Sequence, residues 1–328
     1  MSKDLFAIRL HEARLMAELS MDRLVELTNN TVTKQSISKY ERGIMLPKRA
    51  ARQALAKALC ISEEYFSGNS LQIDVPMLRT TKDGKGLFTD QNATDLEARL
   101  AYWTERYLKN EAAAGLTIHF ENPIAFVSVS TEEDAMHAAE LLREHWHCGD
   151  GPIPSILRLL ERKGIKIIDT LLPDGVWGMS TWADNVHPLI VIDNAKGRTT
   201  VERLRFTVAH ELGHLLLNLS DSVQEIERMC NTFAGTFLMP RSTLTEELGA
   251  QRESLTLEEL IDLHELYGIS VAALVHTAYN YGIITRQHYD WWYDEVINHN
   301  HMENGWGEYK FPEKLGREKR VKAINDNN

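Results

Sequence analysis

A chain of 328 residues with 36 Lys and Arg against 47 Asp and Glu is acidic by 11 charges, which excludes a protein basic over its whole surface. Its 43% apolar and 25% charged residues suit an ordinary globular protein with room for two cores; its apolar runs fall short of the roughly 20 residues of a membrane span, and its first 30 residues lack a signal-peptide core. Cys60, Cys148 and Cys230, scattered, odd in number and without a Cys-x-x-Cys pair, argue against a disulfide framework and for a reducing cytoplasm. The charge is uneven: residues 1–66 hold 11 basic against 8 acidic side chains, the remainder 25 against 39. Only the head is therefore expected to meet nucleic acid.

Residues 4–17 predict an amphipathic helix, with Leu5, Ile8, Leu10, Ala13 and Met16 at helical period and Arg9 and Arg14 on other faces. Ser20 caps a second helix bearing Leu24, Val25 and Leu27, and Asn29-Asn30-Thr31 is turn chemistry. Thr33 caps a third, Lys34 to Arg42, stopped by Gly43 and Pro47. A fourth runs from Lys48 to Leu59, and Ser62 caps a short fifth near Phe66. Five short helices with a polar third one after a tight turn define an all-α helix-turn-helix domain.

The words Ile37-Ser-Lys-Tyr-Glu-Arg-Gly-x-x-x-Pro47 and Ile61-Ser-x-x-Tyr-Phe66 resemble the XRE (Cro/repressor-like) DNA-binding family over residues 4–66. The resemblance implies that the third helix enters the major groove of double-stranded DNA with its N-terminal side chains. It places Lys34, Gln35, Ser38 and Lys39 nearest the bases, Gln35 suited to adenine and the lysines to guanine or phosphate. The turn from Thr28 to Val32 is about two residues longer than the commonest family pattern, which bears on the pose of that helix.

Residues 67–91, with Gly68, Ser70, Pro76 and Lys82-Asp-Gly-Lys-Gly86, read as a linker. A helix over 92–113 carries Leu96, Leu100, Trp103 and Tyr107, a stripe suited to pairing two chains into a homodimer and, more commonly, to packing on an adjacent domain. Ser130 and Glu133 form a capping box for a helix holding Ala135, Ala138, Ala139, Leu142 and Trp146; Pro152 to Lys163 is another helix, broken by Gly164. Three β-type runs follow, Ile165 to Asp169, Gly178 to Trp182 and Pro188 to Asp193, predicting a small antiparallel or mixed sheet whose edge can hold an extended peptide.

Arg205-Phe-Thr-Val-Ala-His-Glu-Leu-Gly-His-Leu-Leu-Leu217 reads as one buried helix. His210 and His214, four apart, project from one face, the spacing two nitrogens need to reach one tetrahedral zinc, with Glu211 beside them as a general base. Burying two histidines and a carboxylate is costly unless something pairs them, and a metal does so. A second helix, Glu225 to Met239, ends at Pro240; Glu227 begins its face with Cys230, Ala234 and Phe237 and is preferred as third ligand over Glu225, which falls off that face. Thr256 and Glu259 cap a helix to Tyr267, Ser270 caps another to Tyr281, and residues 298–328 read as a solvated tail.

Phe206-Thr-Val-Ala-His-Glu-Leu-Gly-His, followed by Glu227-x-x-Cys-Asn-x-Phe-Ala-Gly-x-Phe-Leu-Met-Pro, resembles the ImmA/IrrE metallopeptidases from about Ala135 to Thr285. The resemblance implies His210, His214 and Glu227 as Zn2+ ligands, Glu211 as catalytic base, and a substrate that is itself a helix-turn-helix repressor. The expected organisation is thus a DNA-binding domain over 1–68, a linker over 69–91, an α+β zincin-like metallopeptidase domain with a small sheet over 92–297, and a tail over 298–328. The function expected is a cytoplasmic DNA-binding regulator that cleaves a repressor-type protein. The competing expectation is a regulator that cuts nothing, its zinc domain sensing a ligand or holding structure; an intact Glu211 counts against it, since a structural site needs no base.

Overall fold

The computed structural model describes residues 3–17, 19–61, 63–67, 71–73, 90–173, 175–193, 199–220 and 223–326. The chain divides into two compact units. One comprises Met1–Thr117, Thr181–His187 and Glu318–Asn328, the other Ile118–Ser180 and Pro188–Arg317.

The first unit begins with α1 (Lys3–Met16), α2 (Met21–Leu27), α3 (Lys34–Glu41) and α4 (Arg49–Ala58), closed by a 3-10 turn at Glu63–Ser67. The caps are those expected: Ser20 accepts from the Arg23 amide and Thr33 from the Ser36 amide. Gly43 takes a positive φ of 67° after α3, and Ile44 N bonds back to Lys39 O, a six-to-one closure that satisfies a carbonyl of the last turn. Phe6, Leu10, Leu24, Ile37, Leu55 and Phe66 form the core. The cap expected at Ser62 lies outside the described residues, as do 68–70 and 74–89 of the expected linker.

Arg9 and Arg14, expected off the apolar face of α1, are both buried. The reason is pairing at long range. Arg9 ion-pairs with Glu12 and Glu105 beneath the Tyr65 ring, and Arg14 holds Glu41 of α3 through two nitrogens at 2.6 and 2.9 Å. Glu105 belongs to α5 (Asp90–Ala113), which buries Leu96, Leu100 and Tyr107 in this same unit. Trp103 of the same stripe is half-buried, and α5 groups with the N-terminal helices rather than with the region that follows it.

The second unit is α+β. A two-residue strand β1 (Ser128–Val129) precedes α6 (Glu132–Trp146), then α7 (Ile156–Arg162), β2 (Lys166–Asp169), β3 (Gly178–Ala183) and β4 (His187–Ile192). The sheet order is β2-β4-β3, with β2 and β4 parallel, so it is mixed and β3 stands at an edge. Asp184 and Asn185 turn the chain between β3 and β4 at positive φ. The capping box of α6 falls one residue later than Ser130 and Glu133: Thr131 accepts from the Asp134 amide while the Asp134 carboxylate takes both Thr131 N and Ser130 N. α7 starts only at Ile156, capped by Ser155.

Next come α8 (Val201–Leu216), β5 (Asn218–Leu219) and α9 (Ile226–Leu238). β5 pairs in parallel with β1, and Asn122 donates its side-chain amide to Leu216 O, so the exit of α8 is pinned at once. Gly213 lets α9 come close, since a Cβ there would lie 3.3 Å from the Cys230 Cα and 3.2 Å from the Phe233 ring. The chain closes with α10 (Arg241–Leu248), α11 (Leu257–Tyr267), α12 (Val271–Asn280), α13 (Arg286–Trp292) continued by a π turn to Ile297, and α14 (Arg317–Asp326). The capping box at Thr256 and Glu259 and the cap at Ser270 are as expected.

The segment 298–317 is no solvated tail. Trp306 and Tyr309 are buried, and three carboxylates tie it down. Glu303 accepts from the amides of Val271 and Ala272 at the start of α12, and Glu313 from those of Ile156 and Leu157 at the start of α7. Glu161, in turn, accepts from the amides of Gly316 and Arg317. These anions answer orphan N–H groups and helix dipoles that would otherwise be unpaired. Glu313 also ion-pairs with Arg205 of α8, whose guanidinium is 0% exposed and donates to Gly268 O, Ile153 O and Tyr267 O. Past this segment α14 belongs to the first unit, with Arg106 paired to Glu318 at 2.9 Å. Among the described residues no helix is long and apolar enough to cross a membrane.

Candidate metal centre

α8 and α9 pack face to face, Gly213 lying against Cys230 and Phe233, with Val208, Leu212, Leu215 and Phe237 also buried. That packing fixes which residues look outward from the pair. His210 and His214 sit one turn apart on α8, and Glu227 opens α9 in its first turn.

Their donor atoms converge. His210 Nε2 lies 3.0 Å from His214 Nε2 and 3.1 Å from a Glu227 oxygen, and His214 Nε2 lies 3.3 Å from the other. Among the described residues these three side chains form the His, Cys, Asp and Glu cluster able to hold an ion. Donors held about 2.0–2.1 Å from a tetrahedral zinc stand about 3.3 Å from one another, so the set fits that ion. Two imidazoles and one carboxylate are also the right chemistry, leaving one position for water. Glu225, the rival, pairs instead with Arg228 at 2.8 Å.

His210 Nδ1 donates to Asn231 Oδ1 at 2.8 Å; with an ion bound, that bond would set the tautomer whose Nε2 offers its lone pair. Asn231 follows Glu227 by one helical turn, so the same face of α9 supplies both a ligand and its support. His214 has the Cys230 thiol as a hydrogen-bond partner. Burial opposes charge on His214, but its bonds to Cys230 and Glu227 outweigh that and push its pKa up to about 10. The bonds from His210 and His214 hold the Glu227 carboxyl well below the usual carboxylate range, against the opposing effect of its burial. A dication would answer all three donors at once, and its binding would displace any proton they hold.

Glu211 is 9% exposed and points to the sheet, where Ser180 Oγ of β3 donates to its Oε2 at 2.7 Å. Gly178, two residues earlier on β3, makes this approach possible: a Cβ there would stand 2.5 Å from Thr207 Cγ2 and 3.4 Å from Glu211 Cγ. His264 and Tyr267, helical residues that can donate to a substrate, are both buried, and His264 is bonded to Ile269 O.

Lys34, Gln35 and Lys39 are exposed on α3 and Ser38 is half-buried there; Lys34 Nζ reaches Asp22 Oδ2 at 2.7 Å. All four belong to the first unit.

The second unit thus combines a small mixed sheet, two packed helices and a His, His, Glu donor set with a carboxylate next to it. Residues 160–279 match the Peptidase_M78 family model, described as the IrrE N-terminal-like domain. The match takes in Glu211 and all three donors of the cluster. A comparison with curated proteins found no match.

Proposed function

We propose that this chain is a zinc-dependent endopeptidase joined to a DNA-binding helix-turn-helix module, and that it cuts a repressor-type protein to control transcription. The convergence of His210, His214 and Glu227 with Glu211 alongside carries the reading. Neutral His210 and His214 and the Glu227 carboxylate would hold the ion, and Asn231 would keep His210 oriented. When bound, zinc supplies a Lewis acid for the scissile carbonyl and lowers the pKa of water toward about 7. Glu211 takes the proton from the attacking water as the new C–O bond forms. It then gives that proton to the departing amine nitrogen as the C–N bond breaks. The start of β3, at Gly178 to Ser180 beside Glu211, is where an extended substrate strand would lie, the far end of β3 being bridged by Ile73 at Ala183.

The DNA-binding half rests on the polar, exposed face of α3 and on the basic balance of the head. Lys34, Gln35, Ser38 and Lys39 would lie nearest double-stranded DNA, read through residues 1–68. The repressor substrate is what the resemblance of the second half implies, and the cytoplasmic setting rests on the three scattered cysteines.

The test is metal content and proteolysis together, on wild type and Glu211→Gln, against a panel of helix-turn-helix repressors. One zinc per chain, with cleavage lost in the variant alone, is expected. Zinc retained without cleavage of any repressor shifts the reading to a regulator whose zinc domain senses a ligand or holds structure. No zinc after reconstitution removes the metal centre. For the head, replacing Lys34 and Lys39 should weaken DNA binding and flatten its salt dependence, by about one unit of slope for each phosphate no longer neutralised.

A further inference from the structure

We infer that Ser180 is a positioning residue for the peptidase reaction: its hydroxyl fixes which oxygen of Glu211 carries the proton. This inference rests on the peptidase reading above and adds to it a residue from outside the two helices.

The geometry is specific. A carboxylate can only accept, so the 2.7 Å contact is Ser180 Oγ–H donating to Glu211 Oε2. That oxygen is then occupied, and Oε1 is left to receive the proton of the attacking water and to return it to the leaving nitrogen. A glutamate on a helix turns freely about its last bond unless something holds it, and a proton taken on the wrong oxygen cannot reach the amine. Ser180 lies on β3, 31 positions before Glu211, and Gly178 brings that strand down onto α8 on the same side. The bond is thus built from a close strand-to-helix approach that a side chain at 178 would prevent unless Thr207 moved away.

Zinc ligation does not involve Ser180, and this separates its role from that of the metal donors. The experiment uses the full chain loaded with zinc and compares wild type, Ser180→Ala, Ser180→Thr and Glu211→Gln. The probe is a library of peptides from digested denatured casein, with kcat and KM taken on the fastest-cleaved peptide. Ser180→Ala should lower kcat by about 10- to 100-fold with KM unchanged, and Ser180→Thr, which keeps the hydroxyl, should restore most of it. Zinc affinity, read by competition with a chromophoric chelator, should be the same in wild type and Ser180→Ala. A thermal double-mutant cycle of Ser180→Ala with Glu211→Ala, which needs no turnover, should show coupling between the two side chains.

Wild-type kcat in Ser180→Ala, loss of zinc affinity in that variant, or zero coupling would overturn the inference and leave the peptidase reading intact if Glu211→Gln is inactive. A fully active Glu211→Gln, or zinc-loaded wild type that cuts no peptide of the library, would overturn the reading and the inference with it.

Discussion

Replacing Glu313 with alanine takes the counter-charge from a guanidinium at 0% exposure and, in the same step, an acceptor from Ser155 Oγ and the amides of Ile156 and Leu157. Arg205 keeps its three carbonyl acceptors, so its hydrogen bonds survive while its charge is left uncompensated in the interior. Breaking a buried ion pair on one side costs about 3–5 kcal/mol, and a lost helix cap about 1 kcal/mol. Because the two losses share one carboxylate they overlap, and about 4–5 kcal/mol is expected. That is a large part of the roughly 5–15 kcal/mol by which domains are stable. At about 2–4 °C per kcal/mol for a unit of this size, the melting temperature should fall by roughly 8–20 °C. Urea unfolding followed by tryptophan fluorescence and a calorimetric melt read the effect. Glu313→Gln, which keeps an acceptor at the α7 terminus and loses the charge, should fall between wild type and alanine. Arg205→Met with Glu313→Leu removes the charge imbalance but leaves the Ile156 and Leu157 amides and the three carbonyls without these partners, so it should recover only part of the loss. A loss of less than about 1 kcal/mol in Glu313→Ala would refute the argument that this pair is what holds the segment down.

Three further outcomes are expected. Asn231→Ala frees the His210 ring and should weaken zinc binding by about 10- to 100-fold, read by chelator competition; unchanged affinity would mean the hydrogen bond does not set the tautomer. Zinc uptake should release a proton and tighten roughly tenfold per pH unit between about pH 7 and 9, because His214, raised to about 10, is still protonated there; calorimetry in buffers of different ionisation heat should detect it, and uptake with no proton released would count against that protonation state. Burial alone would raise the pKa of Glu41, but bonds from His11 and Arg14 hold it below the usual carboxylate value. Its contribution is therefore present above pH 4.5 and lost as pH falls through its folded value. Glu41→Gln should cost about 3 kcal/mol at neutral pH and flatten the acid side of the urea-midpoint profile. An unaltered profile would assign the acid limb to other carboxylates.

What could be read from the residues alone was what depends on neighbours in sequence. His210, His214 and Glu227 stand on helical faces whose period and apolar partners are local, and the caps at Ser20, Thr33, Thr256 and Ser270 are three-residue events. Asn231 was within reach too, one turn beyond Glu227 on the same face. The failures share a cause, in that each depends on a group distant along the chain. Thr131 and Asp134, not Ser130 and Glu133, form the box of α6, in a run where two overlapping boxes are equally good and the β1–β5 pairing draws Ser128 and Val129 away from the helix. β1 and β5, two residues each, have no periodicity to see. The burial of Arg9 and Arg14 is explained only once Glu105 and Glu41 are placed beside them. Ser180 carries no signal for Glu211, since only the fall of β3 onto α8 joins them. The segment 298–317 is polar and aperiodic because its anchors are carboxylates, not an apolar stripe.

That last segment has a bearing on synthesis. Arg205 and Glu313 are 108 positions apart. At about 5–20 residues per second, a ribosome makes α8 and then takes roughly 5–20 seconds more to reach the carboxylate that neutralises Arg205. During that interval the nascent second unit carries an unpaired guanidinium where its interior should close, and the starts of α7 and α12 lack the acceptors that Glu313 and Glu303 will bring. α8 and α9 are thus translated long before the unit can finish folding around them. A chain that stalls or is cut between α12 and Glu313 would present the whole donor set on an incomplete scaffold, so the nascent chain comes with a built-in delay between making the site and completing the fold that holds it.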